Sequence, residues 1–209
     1  MDMAVVTAES PDQRRSDIPP SLIYEELNGT VLYRKGYRDV LAQTKTVDEV
    51  MGSSSLQSAI ITLILLEIGK TLTEEYFIVS NEPGLHLAPN NNLSNDIAIF
   101  TLTEISQFDK KYFSVAPRYV IEVDVKADIN PQEFGSEEDY IFYKTQMLLD
   151  FGVEQVIWIT SDKSRKILIA RQGVDWVVTN WESVVEFGPG CRFSLQGLLQ
   201  KRGIAGLLS

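Results

Sequence analysis

Residues 119–125 are β-branched or aromatic at most positions and read as a buried strand. Side chains alternate along a strand, so Tyr119, Ile121, Val123 and Val125 are expected on one face. The other face then carries Val120, Glu122, Asp124 and Lys126. Two carboxylates and an ammonium on a strand otherwise fit for a core each need a partner, a cation or water.

The same pattern places the remaining elements. Residues 23–27 and 30–33 flank Asn28-Gly29, a strong two-residue hairpin turn. Glu25 and Glu26 read as a solvated face of that hairpin, the other reading being an extra acidic group near a site. Arg34, Lys35 and Arg38 form a basic cluster, either solvated or touching phosphate. Ser53 or Ser54 can cap a helix over 55–70, apolar enough to pack on a sheet, with Gln57 and Ser58 at its start facing a cleft. Strands are expected over 75–80, as a short return at 85–87, and from Asp96 to 100, with residues 89–95 a polar loop.

Ser136 and three following acids open a helix that runs to about residue 151, before Gly152. At about 100° per residue, Tyr140, Ile141, Thr145, Leu148 and Phe151 fill one arc, and Lys144 lies inside it. A lysine on the buried side needs a partner, for which the acids of the preceding strand serve, or it snorkels past the core edge. Strands over 155–160, 167–170 and 174–179 and a short helix over 194–201 complete the chain. Strand, helix, strand across 119–160 is a βαβ-like unit beside hairpin-joined strands. The fold class is therefore α/β, a mixed β-sheet flanked by helices. One domain over 19–209 is expected, preceded by a flexible arm over 1–18.

Composition narrows the chemistry. The single cysteine, Cys191, excludes an intrachain disulfide framework and a cysteine-based zinc site. One histidine, His86, leaves zinc clusters and histidine phosphodiesterase sites short of ligands. No glycine-rich phosphate loop is present. A net charge of −10 argues against broad nonspecific DNA binding, though not against a local basic patch. The apolar run at 59–68 is far shorter than the roughly 20 residues a membrane span needs. The first residues show no apolar core followed by a cleavage pattern, so a cytoplasmic protein is expected.

Asp96 at a strand start, Glu122 and Asp124 on the next strand, and Lys126 or Lys144 nearby suit Mg²⁺ or Mn²⁺. Such an ion takes oxygen ligands from a few carboxylates while keeping several waters. It can activate one water and stabilise charge on a scissile phosphate, which a neighbouring lysine also stabilises.

Asp96, then Ile121-Glu-Val-Asp-Val-Lys-Ala-Asp128, then the segment 143–158, YKTQMLLDFGVEQVIW, resemble the Uma family of bacterial putative restriction endonucleases, within the PD-(D/E)XK nuclease superfamily. The resemblance spans roughly residues 18–170 and is most specific over 143–158. It implies a restriction-endonuclease-like core, Mg²⁺-dependent hydrolysis of DNA phosphodiester bonds, and a homodimer. By position, Asp96 is the motif aspartate, Glu122 the second metal ligand, and Lys144 the helix lysine. Three positions depart from the pattern: Asn95 stands for the proline before the aspartate, Asp124 for the strand lysine, and Gln57 for a histidine. Asp124 would then assist at the metal, and Lys144 or Lys126 would replace the missing lysine. The alternatives are a catalytically inactive binding or assembly protein on the same fold, and a purely structural salt-bridge network.

Overall fold

A computed structural model describes residues 18–207. All but the last residue of the arm expected over 1–18 lies outside them. Asn28 and Gly29 take φ of 47° and 80°, the left-handed pair that a tight hairpin of right-handed twist requires. They join β1 (Ile23–Leu27) to β2 (Thr30–Tyr33), with Leu27 facing Thr30 across the turn. Two short helices follow, α1 (Tyr37–Leu41) and α2 (Val47–Met51), then α3 (Ser55–Ile68). The Ser54 side chain caps α3 by accepting from the Gln57 N–H.

Next come β3 (Tyr76–Ser80), β4 (Gly84–Ala88), β5 (Asn91–Ser94), β6 (Ile97–Thr101) and β7 (Tyr119–Val123). After α4 (Pro131–Phe134), helix α5 (Glu137–Phe151) leads to β8 (Gln155–Ile159), β9 (Lys166–Arg171) and β10 (Val177–Asn180). The hairpin β11 (Val185–Phe187) and β12 (Cys191–Phe193), then α6 (Leu195–Lys201), follow. The central sheet has the order β10-β9-β8-β7-β6-β3. Its β7–β8 pair is parallel, as a crossover through α5 demands; its other pairs are antiparallel. A second sheet runs β2-β1-β5-β4.

Alternation along the central strands divides the core in two. Ile97, Ile99, Tyr119, Ile121, Val123, Ile157 and Ile159 face α3 and α6, against Ile60, Ile64, Leu195 and Leu199. Ala98, Phe100, Val120, Val156 and Trp158 face the opposite way, against Tyr140 and Leu148 of α5 and Leu27, Leu32, Leu85 and Leu93 of the small sheet. The expected mixed sheet flanked by helices is what the chain forms. Among the described residues no helix is long and apolar enough to cross a membrane.

Three expectations change. The polar segment read as a loop contains β5, whose partners are β4 and β1. The return strand at 85–87 therefore belongs to the small sheet, while β3 pairs with β6. Second, β7 ends at Val123, and Asp124 has φ 61°. That left-handed residue reverses the alternation, so Val125 packs with Val120 in the α5 layer, away from Ile121 and Val123. Third, the tail holds the hairpin β11–β12 ahead of its helix.

Helix α5 is delimited as the sequence predicts: the Ser136 side chain accepts from the Asp139 N–H, and Gly152 closes it at φ 117°. An alanine at Gly152 would have to hold that φ with its Cβ 3.4 Å from the Ala116 Cβ. The Gly152→Ala variant is expected to lose about 1 kcal/mol of stability or more, measurable as a lower urea midpoint with an unchanged m-value.

Candidate active site

The antiparallel register of β6 on β7 pairs Ile97 with Ile121. One step further along both strands brings Asp96 beside Glu122. There the ladder is continued by a side chain: Asp96 Oδ2 accepts the Val123 N–H at 2.8 Å, and the Asp96 N–H donates to Glu122 Oε2 at 3.3 Å. Both carboxylates are buried, Asp96 to 4% exposure and Glu122 to 1%.

Lys144 arrives from α5. The parallel register sets Trp158 beside Glu122, and the indole N–H of Trp158 donates to Thr145 Oγ1 at 2.8 Å. That bond fixes the rotation of the helix and leaves Lys144 at 0% exposure, in the arc the sequence predicts. Its ammonium donates to Glu25 Oε1 at 2.5 Å and to the Ser94 carbonyl at 2.6 Å. It also lies 2.9 Å from Glu122 Oε1. That contact is ionic without hydrogen-bond alignment, and Oε1 accepts no hydrogen bond among the described residues. The rings of Tyr24 and Trp158 flank the ammonium, with centroids 5.7 and 5.5 Å away.

Glu25 corrects the expectation of a solvated strand face. It is 2% exposed, accepts the Tyr140 hydroxyl at 2.6 Å and the Ser94 N–H at 3.1 Å, and joins the cluster from the small sheet. A register shift between Ile23 and Glu25 buries Tyr24 and Glu25 in succession, which simple alternation would not do.

Lys126 reaches the cluster from the opposite end. Its ammonium lies 2.7 Å from Asp96 Oδ1 and 3.1 Å from Glu82 Oε1. Glu82 in turn takes both terminal nitrogens of Arg34, at 3.2 and 2.8 Å. A run of charges results: Glu25, Lys144, Glu122, Asp96, Lys126, Glu82 and Arg34. The other members of the basic cluster, Lys35 and Arg38, pair with Glu137 and Asp128.

Asp124 does not join. Its left-handed backbone turns the carboxylate to Ser161, from whose N–H and hydroxyl it accepts at 2.6 Å each. Gln57 Nε2 donates to the Val123 carbonyl at 2.6 Å, tying α3 to the end of β7. Asn95, at 1% exposure, has neither side-chain polar atom hydrogen-bonded among the described residues. Of the five candidates, Asp96, Glu122, Lys126 and Lys144 converge, and Asp124 stands apart.

Burial sets the electrostatics. It pushes the Glu122 carboxyl up to about 8; Lys144 opposes that rise, and Asp96 and Glu25 add to it. Burial alone would lower Lys144, yet Glu122 and Glu25 outweigh it and raise the ammonium above its ordinary range. Partial burial would raise Glu82, but Arg34 and Lys126 hold it below the usual carboxylate range.

The donor set fits a hard divalent ion through Asp96 and Glu122. Glu122 Oε1 is a buried carboxylate oxygen without a hydrogen bond, and Asp96 Oδ1 already faces a cation in Lys126. Two carboxylates suffice for Mg²⁺, which keeps several waters of its own. Among the described residues no group of three acids, histidines or cysteines is gathered to enclose a metal, in keeping with the position of Asp124. A cleft of about 380 Å³ opens onto this end of the sheet, lined in part by Arg34, Lys35, Lys45, Ser54, Gln57 and Lys126.

No protein-family model matches the chain, and no curated protein matches it. Among solved structures it is similar to the crystal structure of a putative nuclease belonging to DUF820 from Anabaena variabilis ATCC 29413. The identity is 14% and the TM-score 0.60, over 90% of this chain and 96% of that one. A likeness at that level is a likeness of fold: the chain shares a mixed sheet with flanking helices, consistent with a restriction-endonuclease-like core.

Proposed function

We propose that the chain is a divalent-metal-dependent nuclease hydrolysing DNA phosphodiester bonds at the Asp96–Glu122 end of the central sheet. The observation that carries this reading is the convergence of Asp96 and Glu122 with two lysines, one of which, Lys126, lines an open cleft. The resemblance to the Uma family at those positions and the shared fold with the putative nuclease belonging to DUF820 support it.

Asp96 and Glu122 would hold the ion, Mg²⁺ or Mn²⁺, through hard carboxylate oxygens. Such an ion, when bound, lowers the pKa of a water and offsets charge at phosphorus. The residues of the chain do the rest. Gln57 fixes the end of β7, where the Val123 N–H holds the Asp96 carboxylate and the Asp96 N–H holds that of Glu122. A lysine ammonium at this site would place positive charge where negative charge grows on a phosphoryl group attacked in line. Arg34, Lys35 and Lys45 on the cleft wall, which also carries Glu49 and Asp124, would offer contacts for neighbouring phosphates by exchanging their carboxylate partners.

The test is cleavage of plasmid and branched DNA with Mg²⁺, with Mn²⁺ and with EDTA. Wild type is expected to cut only with metal, and Asp96→Ala and Glu122→Ala to lose cleavage. Equal cleavage by all three proteins would mark the activity as contamination. One observation favours a second reading, a nuclease fold retained for binding: Lys126 occupies Asp96 Oδ1, and Asp124 stands at the usual lysine position. DNA binding without cleavage in either metal would select it.

A further inference from the structure

We infer that the two lysines divide the work: Lys126 is the ammonium presented to the phosphate, and Glu25 is a positioning residue that locks Lys144 in the interior. The inference rests on the nuclease reading above and assigns roles within that site.

An ammonium has three N–H donors. Two of those of Lys144 go to Glu25 and to the Ser94 carbonyl, at 2.5 and 2.6 Å, and Glu122 lies against the ammonium as an ion-pair partner at 2.9 Å. Tyr24 and Trp158 cover it, and no part of its side chain is exposed. Enclosed by carboxylates and rings, it has no path to a substrate. Lys126 differs on each count. It has two acceptors, Asp96 and Glu82, so one donor remains; its side chain is 14% exposed; and it lines the cleft beside Gln57.

Glu25 is what makes Lys144 immobile. One carboxylate oxygen binds the ammonium and the Ser94 N–H, and the other takes the Tyr140 hydroxyl. Ser94 supplies both an N–H to Glu25 and a carbonyl to Lys144, and it stands two residues before Asp96. The small sheet thus fixes both Lys144 and the chain leading into Asp96 through one carboxylate. Loss of that bond is a loss of placement at Glu122, and a shift of about 1 Å in a catalytic group can cost on the order of 10²-fold in rate.

The experiment combines lysine acetylation, read by mass spectrometry, with steady-state cleavage. Native protein is acetylated with and without short duplex DNA, with Ca²⁺ in place of Mg²⁺. Lys126 is expected to react in the free protein and to be protected by DNA, and Lys144 to react only after unfolding. In cleavage with Mg²⁺, Lys126→Ala is expected to raise KM and lower kcat, with KM partly restored in Lys126→Arg. Glu25→Gln, shown folded by circular dichroism, is expected to keep KM and the DNA protection of Lys126 while kcat falls by about 10²-fold. If Glu25→Gln fails to fold, Tyr140→Phe removes one bond to Glu25, and a smaller fall in kcat at unchanged KM is expected.

Acetylation of Lys144 in the native protein with protection by DNA would overturn the assignment. So would wild-type kcat in both Glu25→Gln and Tyr140→Phe, or no protection of Lys126. Wild-type protein that protects Lys126 with DNA yet cuts nothing with Mg²⁺ or Mn²⁺ would overturn the nuclease reading and leave the Lys126 contact standing.

Discussion

Lys144→Met is expected to destabilise the fold by about 3–5 kcal/mol, the cost typical of removing one partner from a buried ion pair. The methionine fills nearly the same volume, so the loss is electrostatic. Glu25 remains at 2% exposure without its cation, the Ser94 carbonyl loses its donor, and Glu122 keeps only the Asp96 N–H. The sign should reverse when both sides of the pair are removed: adding Glu25→Leu and Glu122→Leu to Lys144→Met should recover much of the loss, since apolar replacements of buried ionic sets are often neutral or better. Chemical unfolding of the single and triple variants measures both. A loss below about 1 kcal/mol in Lys144→Met would mean that the ammonium is no more than a surface-type pair.

The second large effect separates function from stability. Glu122→Gln is expected to lower cleavage by at least about 10²–10³-fold, the scale of removing one group that stabilises developing charge. Its stability at neutral pH should stay within about 1 kcal/mol of wild type or exceed it, because burial disfavours the ionised carboxyl that the amide replaces. The pH dependence follows from the folded-state value of about 8 against an ordinary 4.5. Between those limits the folded state keeps a proton that the unfolded chain has released, so this group's contribution falls as pH rises from about 4.5 to about 8. In metal-free buffer that slope should be present in wild type and missing in Glu122→Gln. Thermal unfolding across the range shows it.

Part of the cluster could be read from the residues. Glu122 declared itself as charge on a strand built for a core, and Lys144 as a cation inside the apolar arc of a well-capped helix. Both signals are local, because burial of a charged group at a periodic position is costly wherever the partner comes from. Asp96 needed more: its place at a strand start is ambiguous between cap and ligand, and only the β6–β7 register sets it beside Glu122. Glu25 was hidden by the irregularity in β1, which buries two successive residues where alternation predicts one. Asp124 was misplaced for a related reason. A left-handed φ at a non-glycine residue leaves no trace in the apolar pattern, so strand alternation was carried past Val123, where the strand ends. β5 escaped because its asparagines are poor strand formers, and pairing to β1 and β4 outweighs that preference. Glu82 lies in a turn whose sequence carries no signal of its bond to Arg34.

Asp96 and Glu122 are proposed to form a divalent-ion site. Calorimetric titration of Mn²⁺ into wild type, Glu122→Gln and Asp96→Asn tests it without reference to substrate. One ion bound by wild type and by neither folded variant is the predicted result. No binding by wild type, or equal binding by all three, would contradict it.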